Sequence, residues 1–161
     1  MIVVSNTSPL TNLAAIGQFD LLQQLYTSIH IADGVWDELN AYGQVWPGST
    51  QVAAASWVKR HQVQNQTLVA VLRRDLDRGE AESIALAIEL EADLILLDEK
   101  DGRHAAQRLG LRPIGVLGIL LEAKGKGAIE SIRPLLDTLQ KTAGFYLSNS
   151  VYRAILELAQ E

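Results

Sequence analysis

Apolar residues occur along the chain in blocks of two kinds, short continuous runs and longer stretches at helical spacing. The short runs predict strands, and a weaker run with polar alternation predicts a further strand near the middle of the chain. In order, the five predicted strands cover Ile2–Val4, 28–32, 57–63 (the weaker run), 94–97 and 113–115.

The stretches between these strands predict helices. Ser8 followed by Pro9 is typical of a helix N-cap and first turn, and this helix is expected to continue to Gly17. Asp33 is expected to cap a helix that ends near Gly43. Further helices are predicted at 19–26, 67–76, 80–92 and 102–109, and 43–51 is the most loop-like part of the chain.

Strands that alternate with helices across short loops favour a parallel sheet, because parallel neighbours need crossover connections. We therefore predict a three-layer α/β/α sandwich with a central parallel sheet. Beyond Val116 only helical spacing occurs, which predicts a helical C-terminal segment that leaves room for a homodimer. The length of 161 residues fits a single domain over 1–161.

Composition narrows the class of protein. Hydrophobic residues make up 48% and charged residues 20%, which is typical of a globular domain. The absence of cysteine excludes disulfides and thiolate metal sites and favours a reducing compartment. Because no basic leader or membrane-length apolar run is present, the expected location is the cytoplasm, with no membrane association. A net charge of −5 argues against nonspecific coating of nucleic acid but not against a metal-dependent nuclease.

Polar side chains collect where predicted strands end, which is the edge at which parallel sheets bind ligands. The set contains one amide and four carboxylates: Asn6, Glu38, Glu80, Asp98 and Asp101. Two carboxylates about 6 Å apart would repel each other by roughly 3 kcal/mol at an effective dielectric near 20. A bound Mg²⁺ or Mn²⁺ would relieve that repulsion and could position water for attack on a phosphodiester.

Each acid also has a purely structural interpretation. Glu38 could be a solvated helix residue, and Glu80 could interact favourably with the positive N-terminal end of a helix dipole. Asp101 could cap the next helix. Asp98 is the most specific candidate, because it ends a four-residue apolar strand. Glu82 lies two positions from Glu80 on the same helix and is expected to be solvated.

Other kinds of site have weaker support. The three histidines show no metal-ligand spacing, and no glycine-rich phosphate loop is present. Trp46 is the tryptophan expected to be exposed for stacking on bases, whereas Trp36 is expected in the core. The pairs 59–60 and 73–74 could contact phosphates, although ordinary surface charge explains them as well.

Four motifs taken together resemble the PIN-domain superfamily, and more closely a prokaryotic PIN-like branch whose members begin with SNTSPL. The motifs are SNTSPLTNLA, VWDEL, GEAESIALA and LLDEKDGR, and the resemblance extends through GVLGILLEAKGKG and LSNSVYRAIL. It implies an α/β sandwich with a parallel sheet. Characterised members of the superfamily are metal-dependent ribonucleases, including the VapC-type toxins of bacterial toxin–antitoxin pairs.

The resemblance also implies roles for individual residues. Glu38 matches the acid in the helix after the second strand, Glu80 the acid that opens the central helix, and Asp98 and Asp101 the pair after the later strand. Asn6 stands where the family usually has its first aspartate. An amide oxygen can coordinate Mg²⁺ or a metal-bound water, but it carries no charge and cannot act as a base, so the site is expected to be weakened.

The leading hypothesis is a cytoplasmic, Mg²⁺- or Mn²⁺-dependent endoribonuclease, and the resemblance implies a toxin-like role in a toxin–antitoxin pair. Its expected partners are single-stranded or structured RNA and an antitoxin-like protein. Glu38, Glu80, Asp98 and Asp101 are the expected metal ligands. The alternative is a catalytically inactive PIN-like module that binds RNA or a protein. A receiver-like phosphoacceptor domain is disfavoured, because Ser5 and Asn6 supply no paired acids.

Overall fold

A computed structural model describes residues 1–41 and 46–161. Its centre is a sheet of five parallel strands in the order β3-β2-β1-β4-β5. The strands are β1 (Val3–Ser5), β2 (Ile29–Ala32), β3 (Val58–His61), β4 (Leu94–Leu96) and β5 (Pro113–Ile114). All five predicted strands are present, and the weak 57–63 run forms the edge strand β3.

Helices cover both faces of the sheet, so the predicted three-layer sandwich is confirmed. Those between the strands are α1 (Thr7–Ala15), α2 (Leu21–Tyr26), α3 (Asp33–Leu39), α4 (Ser49–Ala54), α5 (Gln66–Leu72), α6 (Arg78–Glu89) and α7 (Lys100–Arg108). The helical C-terminal segment consists of α8 (Val116–Gly125), α9 (Arg133–Thr142) and α10 (Asn149–Leu158). No helix in the described residues is long and apolar enough to cross a membrane.

Alternating strand residues divide the core into two layers. Val3 and Leu96 face the cluster that contains the apolar side chains of α1, α2 and α8 to α10. Val4 and Ile95 face the other cluster, which α5, α6 and α7 complete. Successive side chains of a strand point to opposite faces, so a strand buried on both faces has to be apolar throughout.

The strand order creates a crevice at one edge of the sheet. The chain moves outward from β1 to β2 and β3, then returns to the other side of β1 to form β4 and β5. At such a reversal, the carboxyl ends of the two inner strands, here β1 and β4, flank a ligand-binding crevice. The backbone N–H of Asn6 donates to the carbonyl of Leu96 at 3.0 Å, so Asn6 is fixed at this crevice.

Several predicted helix ends were wrong by a few residues. Helix α1 begins at Thr7 with Asn6 as its N-cap residue, so Ser8 lies inside the first turn and does not cap the helix. Asp33 likewise lies in the first turn of α3, after Ala32. The predicted loop at 43–51 includes the start of α4 at Ser49, whereas its residues 43–45 and the predicted helix end near Gly43 lie outside the described residues.

Candidate functional site

Asn6 brings an unusual polar atom to the crevice. The residue is 4% exposed, and its side-chain oxygen Oδ1 is buried without a hydrogen-bond partner among the described residues. A buried acceptor left without a donor costs on the order of 1–3 kcal/mol. Such a cost at the end of a central strand indicates a position reserved for a ligand.

The side-chain oxygens of Glu38 and Asn6 both lie close to Gly79. A Cβ atom placed on Gly79, in the first turn of α6, would lie 2.7 Å from Glu38 Oε2 and 3.2 Å from Asn6 Oδ1. The first distance is too short for a real carbon, so a larger residue at 79 would have to displace the carboxylate. The hydroxyl of Thr7 donates to the same Oε2 of Glu38. The two oxygens therefore face the small space that Gly79 leaves open.

Glu80 adds a third oxygen-bearing side chain. It is 8% exposed, and its backbone N–H donates to Oδ1 of the helix cap Asp77 at 2.8 Å. Burial, together with the negative charges of Asp77, Glu99 and Glu38, raises the pKa of Glu80 to about 7. Glu80 therefore exchanges a proton near neutral pH, which distinguishes it from an ordinary surface acid.

Asp98 follows β4, the strand next to β1, and both of its oxygens accept hydrogen bonds from other parts of the chain. Oδ1 accepts from the backbone N–H of Val116 at 2.7 Å, and Oδ2 accepts from the Asn12 side chain at 3.0 Å. Burial raises the pKa of Asp98, while these two hydrogen bonds act to lower it. Asp98 thus fastens the start of α8 and the middle of α1 to the end of β4.

Asp101 points elsewhere. Its exposed side chain lines a groove of about 530 Å³ between α5 and α7, together with Asp75, His104 and Arg108. The structure therefore brings Asn6, Glu38 and Glu80 together, places Asp98 at the end of the neighbouring strand β4, and directs Asp101 to a different surface.

The amide and carboxylate oxygens at this site are of the type that a hard cation binds, but they are few. Within residues 1–41 and 46–161, no group of three or more Asp, Glu, His or Cys side chains could hold a metal ion. Amide and carboxylate oxygens are nevertheless the donor types that Mg²⁺ and Mn²⁺ take, and Mg²⁺ usually keeps several waters and few protein ligands. The buried, unpartnered Oδ1 of Asn6 facing Glu38 Oε2 meets that description.

Glu82, which was expected to be solvated, is 6% exposed, so that prediction was wrong. Its Oε1 accepts from the backbone N–H of Gly34 at 3.0 Å, and its Oε2 accepts from Arg78 Nε at 2.6 Å. Arg78 also contacts Asp37 at 2.9 Å. The close packing of α3 against α6 buries Glu82, and this tertiary contact is invisible to helical periodicity.

Sequence reasoning missed several residues that shape the site. The set comprises Thr7, Asn12, Asp77, Gly79 and Glu99. Thr7 and Gly79 are sequence neighbours of Asn6 and Glu80, and a glycine directly before a predicted helix was a usable signal. Asn12 and Glu99 become relevant only through contacts between elements.

Pairing of β2 with the edge strand β3 also joins two histidines that looked isolated in the sequence. His30 Nδ1 and His61 Nε2 lie 2.8 Å apart on β2 and β3. Burial lowers the pKa of His30, and the nearby His61 and Lys59 lower it further. The pair is a hydrogen-bonded contact at the far side of the sheet from β4.

Comparisons with known proteins bear on this site. A family model described as DUF3368, a PIN domain, matches residues 2–161. A search of curated proteins found no significant match. The family match extends over nearly the whole chain, and it confirms the resemblance that the four sequence motifs carry.

Proposed function

The chain belongs to the DUF3368 family of PIN domains, which indicates a nuclease-like fold, and on this basis we propose that it is a metal-dependent endoribonuclease acting on single-stranded RNA. The reaction is hydrolysis of a phosphodiester bond at the crevice between β1 and β4. The observation that carries the proposal is the buried Oδ1 of Asn6, which has no donor in the described residues and faces Glu38 at the space above Gly79.

Asn6 and Glu38 would hold a Mg²⁺ or Mn²⁺ ion, with waters completing its coordination. Bound there, the ion would neutralise negative charge that develops on the phosphate during hydrolysis. Glu80, with a pKa of about 7, is suited to accept the proton that an attacking water loses. Asp98 acts as a positioning residue, since it holds α1 and α8 at the end of β4.

The amide at position 6 sets the strength of this site. Aspartate there would add one negative charge, and charge contributes much of the affinity of a carboxylate site for a divalent cation. We therefore propose weak cation binding and slow turnover, which suit a toxin-like protein that an antitoxin-like partner restrains. Structured RNA and a second copy of the chain remain part of this proposal as possible partners.

The test compares two helical glycines. Gly79→Ala puts a methyl group 2.7 Å from Glu38 Oε2, whereas Gly125→Ala, at the end of α8, meets no atom of the described residues within 4 Å outside its own helix. With a labelled single-stranded RNA and Mn²⁺, Gly79→Ala should lose about a hundredfold in rate, and Gly125→Ala should retain the native rate. Equal rates for native protein and Gly79→Ala would contradict the proposal, provided that circular dichroism shows both to be folded.

A second function is favoured by the uncharged Asn6 and by the structural bonds on both oxygens of Asp98: a module that binds RNA or a protein without turnover. Asn6→Asp separates the two. For a weak nuclease, the substitution should raise an existing Mn²⁺-dependent rate by about tenfold. If the native protein is inactive and Asn6→Asp creates cleavage, the binding module is the better description.

A further inference from the structure

The segment between α9 and α10 forms one wall of a pocket next to the proposed site. The pocket measures about 360 Å³, and its residues come from two sides. Asp98 and Glu99, at the end of β4, stand on one side with Ser8 and Asn12 of α1, and the residues from 143 to 146 stand on the other.

Tyr146 is the exposed part of that wall. Its side chain is 85% exposed, the highest value among the large apolar and aromatic residues of the described chain. The neighbouring Phe145 instead packs against the main core. Two hydrogen bonds hold the segment, from Phe145 N–H to the Leu139 carbonyl at 3.2 Å and from the Gln140 side chain to the Leu147 carbonyl at 3.3 Å.

Tyr146 is thus presented to solvent from a fixed backbone. Because its backbone is already ordered, only the rotamer of the ring has to be fixed when a flat ligand stacks on it.

Glu99 and Ser8 connect the pocket to the neighbourhood of the proposed catalytic group. Glu99 lines it and lies close enough to raise the pKa of both Glu80 and Asp98. Ser8 follows directly on Asn6 and Thr7 in the chain, so the same helix start contributes to both places. Ser8 lies two residues after Asn6, so their Cα atoms are at most about 7 Å apart, and a strand bound at Asn6 and Glu38 would pass near this pocket.

The chemistry of the walls selects which part of that nucleotide enters. Asp98 and Glu99 repel phosphate, whereas the ring of Tyr146 offers a flat apolar face, and Ser8 and Asn12 offer polar groups to a base edge. A nucleobase is flat and carries donors and acceptors on its edge. It can reach such a face only when it is unpaired, because a paired base is stacked inside its helix.

We propose that Tyr146 is the platform on which an unpaired RNA base stacks beside the scissile phosphate, and that it gives the protein its selectivity for single strands. This inference rests on the proposed function. Because stacking needs the ring and not the hydroxyl, Tyr146→Phe and Tyr146→Trp should retain it, and Tyr146→Ala should lose it.

The experiment separates binding from cleavage. Affinity is measured by fluorescence anisotropy with a fluorescein-labelled six-nucleotide oligoadenylate, with Ca²⁺ in place of Mn²⁺ so that the probe stays intact. Rates are measured separately with Mn²⁺. Tyr146→Ala should weaken binding by about tenfold or more, while Tyr146→Phe stays near the native value. In cleavage, the same loss should appear in KM more than in kcat.

Two controls identify the stacked base. An oligonucleotide with abasic positions, and a duplex of the same sequence, should bind native protein and Tyr146→Ala alike. Trp46→Ala removes another exposed aromatic ring, one that is not part of this pocket, and should leave binding unchanged. If Trp46→Ala weakens binding and Tyr146→Ala does not, the proposal is overturned.

The outcomes also distinguish this inference from the proposed function. If binding depends on Tyr146 but no cleavage occurs, the proposed nuclease activity is contradicted and the role of Tyr146 in stacking is supported. If Tyr146→Ala changes neither cleavage nor binding, the proposed nuclease activity is supported and the role of Tyr146 in stacking is contradicted. A native protein that neither binds nor cleaves the oligonucleotide contradicts both.

Discussion

Glu80 and Glu82 stand two residues apart on α6, and they are almost equally buried, at 8% and 6% exposure. Their surroundings differ in kind. Glu82 accepts hydrogen bonds from Arg78 and from the backbone of Gly34. Glu80 is surrounded by Asp77, Glu99 and Glu38, which together with burial raise its pKa to about 7.

The difference separates a carboxylate that stabilises the fold from one that is available for chemistry. A buried charge with a cation and a backbone donor holds two helices together, whereas a buried charge among other acids makes the folded state less favourable when it ionises. Burial alone therefore does not identify a functional acid. The sign of the neighbouring charges does.

The largest expected effect of breaking this contrast is on the rate of cleavage. Glu80→Gln keeps the shape of the side chain and removes its ability to accept a proton. We expect a loss of about a hundredfold or more in the Mn²⁺-dependent rate on single-stranded RNA, with binding of the strand retained. Glu82→Gln, assayed below its melting temperature, should keep a rate close to the native one. A large loss in both variants would show that the two acids are not functionally distinct.

The second largest effect is on stability, for which Glu82 is expected to matter more than Glu80. Glu82→Gln leaves Arg78 with Asp37 as its one remaining acidic partner among the described residues and weakens the bond to Gly34, so the free energy of unfolding should fall by about 2 kcal/mol. Arg78 is 46% exposed, which places this value below that of a fully buried pair. Thermal melting followed by circular dichroism should show a decrease of about 5 °C. No decrease would contradict the structural role of Glu82.

The pH dependence of stability should carry the signature of Glu80. Because its pKa is about 7 in the folded protein and near 4.5 in an unfolded chain, the folded state binds more protons between these values. The free energy of unfolding therefore falls as pH rises from about 4.5 to 7. In the presence of EDTA, Glu80→Gln should be more stable than the native protein at pH 8 by about 1.5 kcal/mol, after allowance for solvent screening, and should gain nothing at pH 4.

Denaturant unfolding of both proteins at pH 4, 6 and 8 measures this difference. A difference that stays constant with pH would contradict the raised pKa of Glu80.

The smallest expected effect concerns Asp101, an acid outside the site, whose substitution should change the cleavage rate far less than that of Glu80. Asp101 was predicted as a ligand but lines the groove between α5 and α7. We expect Asp101→Asn to change the cleavage rate by less than about twofold, since an exposed substitution outside the site usually changes little. A rate loss comparable to that of Glu80→Gln would return Asp101 to the catalytic group. The same RNA assay measures both variants.

Much of the fold could be predicted from local pattern. The apolar runs gave all five strands, and the alternation with helices gave the parallel sheet, because these features depend on spacing within one segment. Helix ends were less predictable. Ser8 before Pro9 has the composition of a cap, yet the observed cap is Asn6, two residues earlier, whose backbone N–H is hydrogen-bonded to the Leu96 carbonyl of β4.

The candidate site was predictable only in part, for a related reason. Asn6, Glu38 and Glu80 follow or face strand ends, and that position along the chain is enough to suggest that they converge. Glu82 shares the composition and helix of Glu80, and only its contacts with Gly34 and Arg78 distinguish it. Asp101 also follows a strand, but the direction of its side chain depends on how α7 packs.

The sequence by itself determined the order of strands and helices, the absence of thiol chemistry and the delivery of an amide, where an acid is usual, to the end of the first strand. The tertiary structure decided which acids face one another, that the oxygen of Asn6 is left without a donor, and that Tyr146 stands beside Asp98. The physical reason is the distance along the chain over which each property acts. Periodicity reports on neighbours along one segment, whereas charge, burial and hydrogen bonding are set by elements far apart in the chain.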